Sequence, residues 1–397
     1  MSQSEGNSTA SVMDDEDLLW EILLRLPPQP SSLPRASAVC KRWRRMATDP
    51  SFLRSFYAHH RKPPLLGFFE YQRDNVVFTS ILDAPDRIPR ERFNIGGSIT
   101  SSESYVLGCR HGRVLMIDHV RTELFVCTPI TGEQRRLAVP PVFKTVLHTC
   151  INGAVLCAAN DQGHVHGGCH SSPFKVVLVI MYRDDHQPLA CVYSSEANAW
   201  GNLITGAAPC RLFNAHRPGS LIGNAFYWLT MRNDMLVFDL VEQSLAVLSG
   251  PPVKNLFVHS QIIQVEDGVV GFVVLSYPHF QIWQRKLNDH GVATWMEWKT
   301  IGMHNILALP PQIVRGGETI LGYSEDADVF FIYVDVKFYM VQFRSMQSKI
   351  LDEAYYITDY HPFTGFYSPG INIAGGCDGA EVLHVVVRLS DFDLLMC

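Results

Sequence analysis

The sequence predicts a mainly β protein: a β-propeller preceded by a small helical module. Residues 12–60 show apolar side chains at helical spacing, bounded by helix start and stop signals. After a proline pair at 63–64, apolar runs of strand length alternate with polar turns. These runs repeat along the rest of the chain, and such a repeat is the signature of a closed ring of small sheets.

The first predicted helix covers Asp17–Leu26. Acidic residues 14–17 occupy its first turn and the residues just before it, where carboxylates favour the positive end of the helix dipole. Pro27-Pro28 ends it, because proline lacks the N–H that would continue the helix. One broad apolar stripe is formed by Leu18, Leu19, Ile22, Leu23 and Leu26.

A second helix is predicted to begin near Ser32-Leu33-Pro34, with a capping serine and a proline in the first turn. Its apolar face carries Ala36, Val39, Cys40, Trp43 and Met46. Asp49-Pro50 caps a third helix, which bears Phe52, Leu53 and Phe56. Three short helices with this much apolar surface are expected to bury part of it against a partner.

These helices resemble an F-box, the adaptor-binding module of Skp–cullin–F-box ubiquitin ligases. The matching elements are DLLWEILLRLPP, AVCKRW and DPSFL; Val12-Met13 stands where the family often has Leu-Pro. The resemblance implies binding to a Skp-type adaptor and, through it, to a cullin. It assigns that contact to Leu18, Leu19, Ile22, Leu23, Leu26, Pro27, Pro28, Val39, Cys40 and Trp43. The alternative is a helical cap packed on the following domain.

The repeat of the body consists of an apolar strand, a polar turn and a second strand ending in leucine. It aligns without gaps at 124–137, 190–203, 235–248 and 338–351, and recurs with a longer turn at 280–301. A further apolar strand precedes each unit, at 112–118, 175–182, 224–230, 268–276 and 328–335. The unit starts are 66, 45, 45 and 58 residues apart, and the longer spacings locate insertions, chiefly at residues 141–172.

Six blades are predicted, with five or seven as alternatives. Five units are visible, and strands in residues 65–95 and at 381–389 are expected to share one blade and close the ring. A β-sandwich explains the strands but not the repeated unit. The body also resembles the F-box-associated region of plant F-box proteins, especially those of grasses, through CVYSSEANAW, FDLVEQSLAVL and ILGYSEDADVFF. The predicted domains are a disordered 1–11, a helical module 12–62 and a propeller 65–397.

Composition narrows the class of protein. The chain of 397 residues is 47% hydrophobic and 18% charged, as expected of a packed globular protein. Residues 1–62 carry nine basic and seven acidic side chains; since the whole chain is −6, the body is −8, which argues against nucleic-acid binding. An apolar run long enough for a membrane span and a signal peptide are both missing from the sequence, and the ten cysteines form no CxxC pair. A cytoplasmic or nuclear location is expected.

Catalytic motifs of the GxSxG, GxGxxG, P-loop and HExxH types are not found in the sequence. The best metal candidate is His164, His166, Cys169 and His170, whose spacing matches no common zinc pattern. We therefore predict a polar loop there, and no cofactor.

Two functions remain open. The first is a non-catalytic substrate receptor of a Skp–cullin–F-box ubiquitin ligase, in which the propeller recruits a target protein. The second is a propeller enzyme or a carbohydrate-binding protein whose helices are only a cap.

Overall fold

The computed structural model describes residues 15–369 apart from 73–74, 96–103, 145–148, 160–163, 183–186, 211–216, 231–233, 254–258, 267, 288–289, 308, 310–316 and 352–355. The predicted disorder of residues 1–11 and the predicted strand at 381–389 lie outside the described residues.

The described part of the N-terminal module contains four helices where three are predicted. They are α1 Glu16–Leu24, α2 Ser32–Ser37, α3 Lys41–Ala47 and α4 Pro50–His60. The predicted second helix is broken in two, because Cys40 is extended (φ −161°, ψ 171°). Ser32 is not the cap either: Ser31 precedes α2, and its amide donates to Asp86 Oδ1 at 2.8 Å. Asp49 caps α4, as predicted. The first helix begins one residue before the predicted Asp17 and ends two residues before the predicted Leu26, and Asp15 caps it.

The module has one small core. Trp20 packs edge-on against Phe52, with ring centroids 5.1 Å apart. The core residues are fully or almost fully buried and come from all four helices: Leu19, Leu23, Leu33, Ala36, Ala47, Phe52 and Phe56.

The body is a β-propeller of six blades in the described residues, as predicted. Blade 1 contains β1 Leu65–Gln72, β2 Asn75–Ser80 and β24 His361–Thr364, with a 3-10 turn at Arg90–Phe93. Blade 2 contains β3 Ser104–Arg110, β4 Arg113–Asp118, β5 Glu123–Thr128 and β6 Glu133–Ala138. Blade 3 follows the short α5 Pro141–Lys144 and contains β7 Thr149–Cys157, β8 Phe174–Tyr182, β9 Leu189–Ser194, β10 Ala199–Trp200 and β11 Ile204–Thr205.

The remaining three blades have four strands each in the described chain. Blade 4 contains β12 Ser220–Ile222, β13 Ala225–Leu229, β14 Met235–Asp239 and β15 Ser244–Leu248. Blade 5 contains β16 Ser260–Glu266, β17 Val269–Ser276, β18 His279–Leu287 and β19 Ala293–Gly302, and α6 Met303–Leu307 follows it. Blade 6 contains β20 Thr319–Ser324, β21 Val329–Val334, β22 Lys337–Gln342 and β23 Ser348–Ile350.

The pairing within a blade is the one that the repeat predicts. In blade 2, Met116 lies opposite Phe125, and Phe125 lies opposite Arg136, so three consecutive strands are antiparallel neighbours. A sandwich would place these segments in two facing sheets, and it is excluded.

The ring is closed by strands from its two ends. β24 pairs with β1, so that Thr364 lies opposite Leu65 and His361 opposite Phe69. The predicted closure within one blade is therefore present. It is made by residues 361–364, and the strand predicted at 381–389 is not tested, since it lies outside the described residues.

The region 141–172 is only partly an insertion. Residues 149–157 form β7, which pairs with β8 along its whole length from Thr149 to Cys157. The true long connection runs from 158 to 173, and we call it the β7–β8 connection.

The cores of the propeller lie between blades. Each of six clusters of buried apolar side chains joins two neighbouring sheets around the ring. Between blades 3 and 4, for example, Val177 and Val179 pack with Trp228, which is fully buried. Every blade is thus held on both of its faces.

Candidate functional site

The predicted adaptor contact divides into inward and outward residues. Leu19 and Leu23 are 1% and 0% exposed and belong to the core of the module. Leu18 and Ile22 are half-buried and lie outside that core. The other predicted residues all retain exposure, with Leu26, Pro28 and Trp43 half-buried and Pro27, Val39 and Cys40 exposed. The resemblance put all ten in one set, and the structure leaves eight of them accessible.

The break between α2 and α3 shapes this surface. Because the chain is extended at Cys40, the helix does not continue, and Val39 stands 53% exposed. Trp43 packs its half-buried ring against the module core, so it is anchored from behind. Apolar side chains that stay accessible while the module buries its own core are candidates for contact with a partner. We call the eight accessible residues the apolar strip: Leu18, Ile22, Leu26, Pro27, Pro28, Val39, Cys40 and Trp43.

The module is seated on the propeller through α4. The ring of Tyr57 stacks on Phe366, with centroids 4.4 Å apart and planes 19° from parallel. A Cβ on Gly168 would lie 2.6 Å from the Tyr57 ring, so only glycine fits there without displacement. Burial raises the pKa of Tyr57 to about 12, so this phenol is neutral at physiological pH.

One face of the propeller carries this joint. The end of β24 and the start of β1 are opposite each other, so the linker from the module arrives where the last strand leaves. The Gly365 amide donates to Pro64 O at 3.1 Å, and the Phe366 amide donates to Gly167 O at 3.2 Å. The β7–β8 connection therefore lies on the same face as the module and in contact with it.

The centre of the ring is crossed by an ion pair. The Arg110 guanidinium of blade 2 lies 2.6 Å from a carboxylate oxygen of Glu325, which follows β20 of blade 6. The same carboxylate accepts from the Leu221 amide of blade 4 at 2.8 Å. Burial raises the pKa of Glu325, and Arg110 opposes that rise. The ion pair and this hydrogen bond therefore connect blades 2, 4 and 6 around a cavity of about 40 Å³.

A larger groove of about 650 Å³ opens between blades 2 and 3. It borders the β7–β8 connection, and its lining is mixed in charge and polarity. Among the lining residues are Arg113, Gln134, Arg135, His170, Phe174 and Glu196.

The predicted metal candidates are only partly brought together. His164, His166 and Cys169 converge with Cys157, and their ligand atoms all lie within 4.8 Å of one another. His170 faces elsewhere: its ring lies within 3.2 Å of the position that a Cβ on Gly112 would take. Sequence reasoning missed Cys157, because the strand that it ends was read as part of an insertion.

Comparison with known families agrees with the division seen in the structure. Residues 16–59 match a family described as F-box-like, and these residues cover α1 to α3 and all but the last residue of α4. Residues 105–370 match the family "F-box protein AT5G49610-like, beta-propeller", which is more than half of the chain. The chain belongs to this F-box protein family. The match supports the plant-type resemblance and runs from the second residue of β3 through β24.

Relatives of this F-box chain are found in Arabidopsis thaliana. F-box protein At5g49610 is 23% identical over 318 residues, which cover 77% of this chain and 84% of that protein. F-box/kelch-repeat protein At3g61590 is 26% identical, with 48% of this chain and 45% of the relative covered. F-box protein At3g26010 is 29% identical, covering 46% of this chain and 42% of the relative.

The helices that the structure describes include none with the length and apolar character needed to cross a membrane.

Proposed function

We propose that this F-box protein is a substrate-receptor subunit of a Skp–cullin–F-box ubiquitin ligase. In this function the helical module docks on a Skp-type adaptor, which links it to a cullin, and the propeller holds a target protein. The observation that carries the proposal is the apolar strip: its residues remain accessible although the module packs its own core and contacts the propeller.

The contact between module and propeller supports this function. The receptor works without covalent chemistry of its own, by raising the local concentration of a target near the transferring enzyme. Such proximity is most effective when the two binding surfaces have a fixed relation. The stacked pair Tyr57–Phe366 and the buried Pro63 favour a held joint rather than a free linker. We further propose a cytoplasmic or nuclear site of action, and binding without cofactor or nucleic acid.

Calorimetry with purified Skp-type adaptor tests the proposal. The double substitution Leu18→Ala, Ile22→Ala removes two accessible side chains that lie outside the module core. Truncations at an interface hot spot cost about 2 kcal/mol or more each, so adaptor affinity should fall by at least about a hundredfold. The melting temperature of the propeller should not change, because neither residue belongs to one of its core clusters.

Lys41→Ala is the matched control, since Lys41 is exposed at the start of α3 next to the strip. It should bind the adaptor within a few-fold of the wild type. Unchanged affinity of the double variant, or failure of the wild type to bind the adaptor, would remove the ligase function. The propeller would then be a binding domain with a helical cap.

A further inference from the structure

Two thiols and two imidazoles meet at the joint between the module and the propeller. Cys157 is the last residue of β7, and His164, His166 and Cys169 come from the β7–β8 connection. Cys157 Sγ and His164 Nε2 are 3.3 Å apart, and both cysteines are buried. The sequence predicts a polar loop here, and the structure adds that two of these four side chains are buried.

The set of ligands fits one metal. Two sulfur and two nitrogen donors are the ligands of a closed tetrahedral zinc site. With bonds of about 2.0–2.3 Å, two ligand atoms of one tetrahedron lie about 3.3–3.8 Å apart. The observed atoms are within 4.8 Å, so the widest pair needs to close by about 1 Å. Gly167 takes φ 94°, which favours glycine, and so lets the chain turn between His166 and Cys169.

The side chains around the cluster hold it in place. Arg113 is 1% exposed and donates to the carbonyl oxygens of Cys169 at 2.7 Å and Ser172 at 2.7 Å. Its guanidinium also lies 3.9 Å from Cys169 Sγ, where a positive charge favours a thiolate. His111 accepts from the Cys157 amide at 3.0 Å, and its ring stacks on His166 at 3.6 Å. Outer partners of this kind orient metal ligands.

We propose that Cys157, His164, His166 and Cys169 bind a structural zinc ion. All four coordination positions are filled by protein side chains, which is the pattern of structural and not of catalytic zinc. The ion cross-links the end of β7 to the distant half of the β7–β8 connection.

The zinc site also determines how the module is seated. Gly168 packs against the Tyr57 ring of α4, and Gly167 packs against Pro63 of the linker. The Gly167 carbonyl oxygen also accepts a hydrogen bond from the Phe366 amide. Both glycines lie in sequence between the ligands His166 and Cys169. Without the ion, the connection loses its cross-link and α4 loses a rigid seat, so the orientation of the apolar strip relative to the propeller becomes variable.

Metal content of the full-length protein tests the site directly. Wild type purified without added chelator should contain one zinc ion per chain by mass spectrometry of metals. Cys157→Ser and His164→Ala should each contain less than a tenth of that. Cys191→Ser is the matched control, since this buried thiol lies in blade 3 and donates to Gly201 O at 3.3 Å, away from the cluster; it should keep its zinc. Zinc retained in both ligand variants would overturn the proposal.

Replacement of the ion tests the same site without a mutation. Wild type stripped by a chelator should bind Co²⁺ and develop a thiolate-to-cobalt absorption band, and Zn²⁺ should abolish that band. Hydrogen exchange in the peptide around Tyr57 should be faster without metal and return when zinc is added. Two results would overturn the proposal if circular dichroism shows that the chain is folded. One is that Co²⁺ produces no thiolate-to-cobalt absorption band, and the other is that Cys157 and Cys169 form a disulfide with each other.

Discussion

The helical module and the propeller bury their apolar side chains in different ways. The module has one core of seven buried residues and leaves an apolar strip accessible. The propeller has six cores arranged in a ring, so each blade is held from two sides. A single small core rarely supplies more than about 3–5 kcal/mol in a domain of this size. The module is therefore the part that one substitution can unfold, and the propeller is the part that fails only when its ring is opened.

Opening the ring should have the largest effect. A chain that ends at residue 359 lacks β24, so β1 loses its inner partner and blade 1 is reduced to one hairpin. An isolated hairpin is marginal in water, and we expect loss of cooperative melting by calorimetry. Ending the chain after residue 369 keeps β24 and is the control for loss of the residues beyond that strand.

Removing the helical module should affect the stability of the propeller far less than opening the ring. A chain that starts at residue 61 keeps all six cores of the ring and loses contacts such as those made from α4 and Ser31. It should remain soluble and melt cooperatively. Aggregation of this shorter chain would mean that the module is part of the propeller core, and the predicted division at residues 62–65 would be wrong.

One type of substitution compares the two regions directly. Phe52 and Phe272 are both fully buried, the first in the module and the second between blades 4 and 5. Phenylalanine to alanine in a core costs about 3–5 kcal/mol. Phe52→Ala should unfold the module alone, seen as fast hydrogen exchange across α1 to α4 and lost adaptor binding. Phe272→Ala should lower the melting temperature of a propeller that still folds. Equal protection of the module in both variants would contradict the comparison.

Much of this contrast was predictable, because it rests on local signals. The aspartates that cap α1 and α4, the proline stop at 27–28 and the repeated hairpins all act within a few residues. They predicted the helical module, the strand pairing and five of the blades; the sixth was predicted from the need to close the ring. Periodicity alone could not show that the helix breaks at Cys40, since apolar spacing continues through the break.

The missing parts depend on long-range contacts. β24 contains Pro362 and is four residues long, so no pattern marks it as a strand; only its pairing with β1 does. β7 carries Asn152 and Gly153 in its middle, which weakens the apolar run. Asn152 is buried because its amide donates to Arg217 O at 2.8 Å and its oxygen accepts from Trp228 Nε1 at 3.2 Å. Because β7 was not predicted, Cys157 at its end was not recognised as a member of the metal cluster.

The central ion pair tests how far the ring depends on polar contacts. Breaking a fully buried pair costs about 3–5 kcal/mol. Arg110 and Glu325 keep 11% and 25% exposure, so Glu325→Gln should cost less, about 2–3 kcal/mol in chemical denaturation. Glu266→Gln breaks the exposed pair with Lys286 and should cost at most about 0.5 kcal/mol. Equal effects of the two would show that the central ion pair contributes nothing beyond a surface pair.

The smallest expected effect concerns a helix cap in the module and depends on pH. Asp49 accepts hydrogen bonds from the Ser51 hydroxyl, from the Phe52 amide and from the Ser51 amide, and these lower the pKa of its carboxyl. A depressed pKa in the folded state means that the carboxylate stabilises α4 above its ordinary pKa near 3.8, and that this contribution is lost as pH falls through the folded value. Asp49→Ala should therefore reduce the protection of α4 in hydrogen exchange at neutral pH, and the difference from wild type should shrink towards acid pH.

Asp86→Ala, which removes the acceptor of the Ser31 amide, is the control for a contact across the joint. Asp49→Asn keeps an acceptor and should retain part of the protection. A deficit that stays constant down to acid pH would show that the cap acts through its shape and not through its charge.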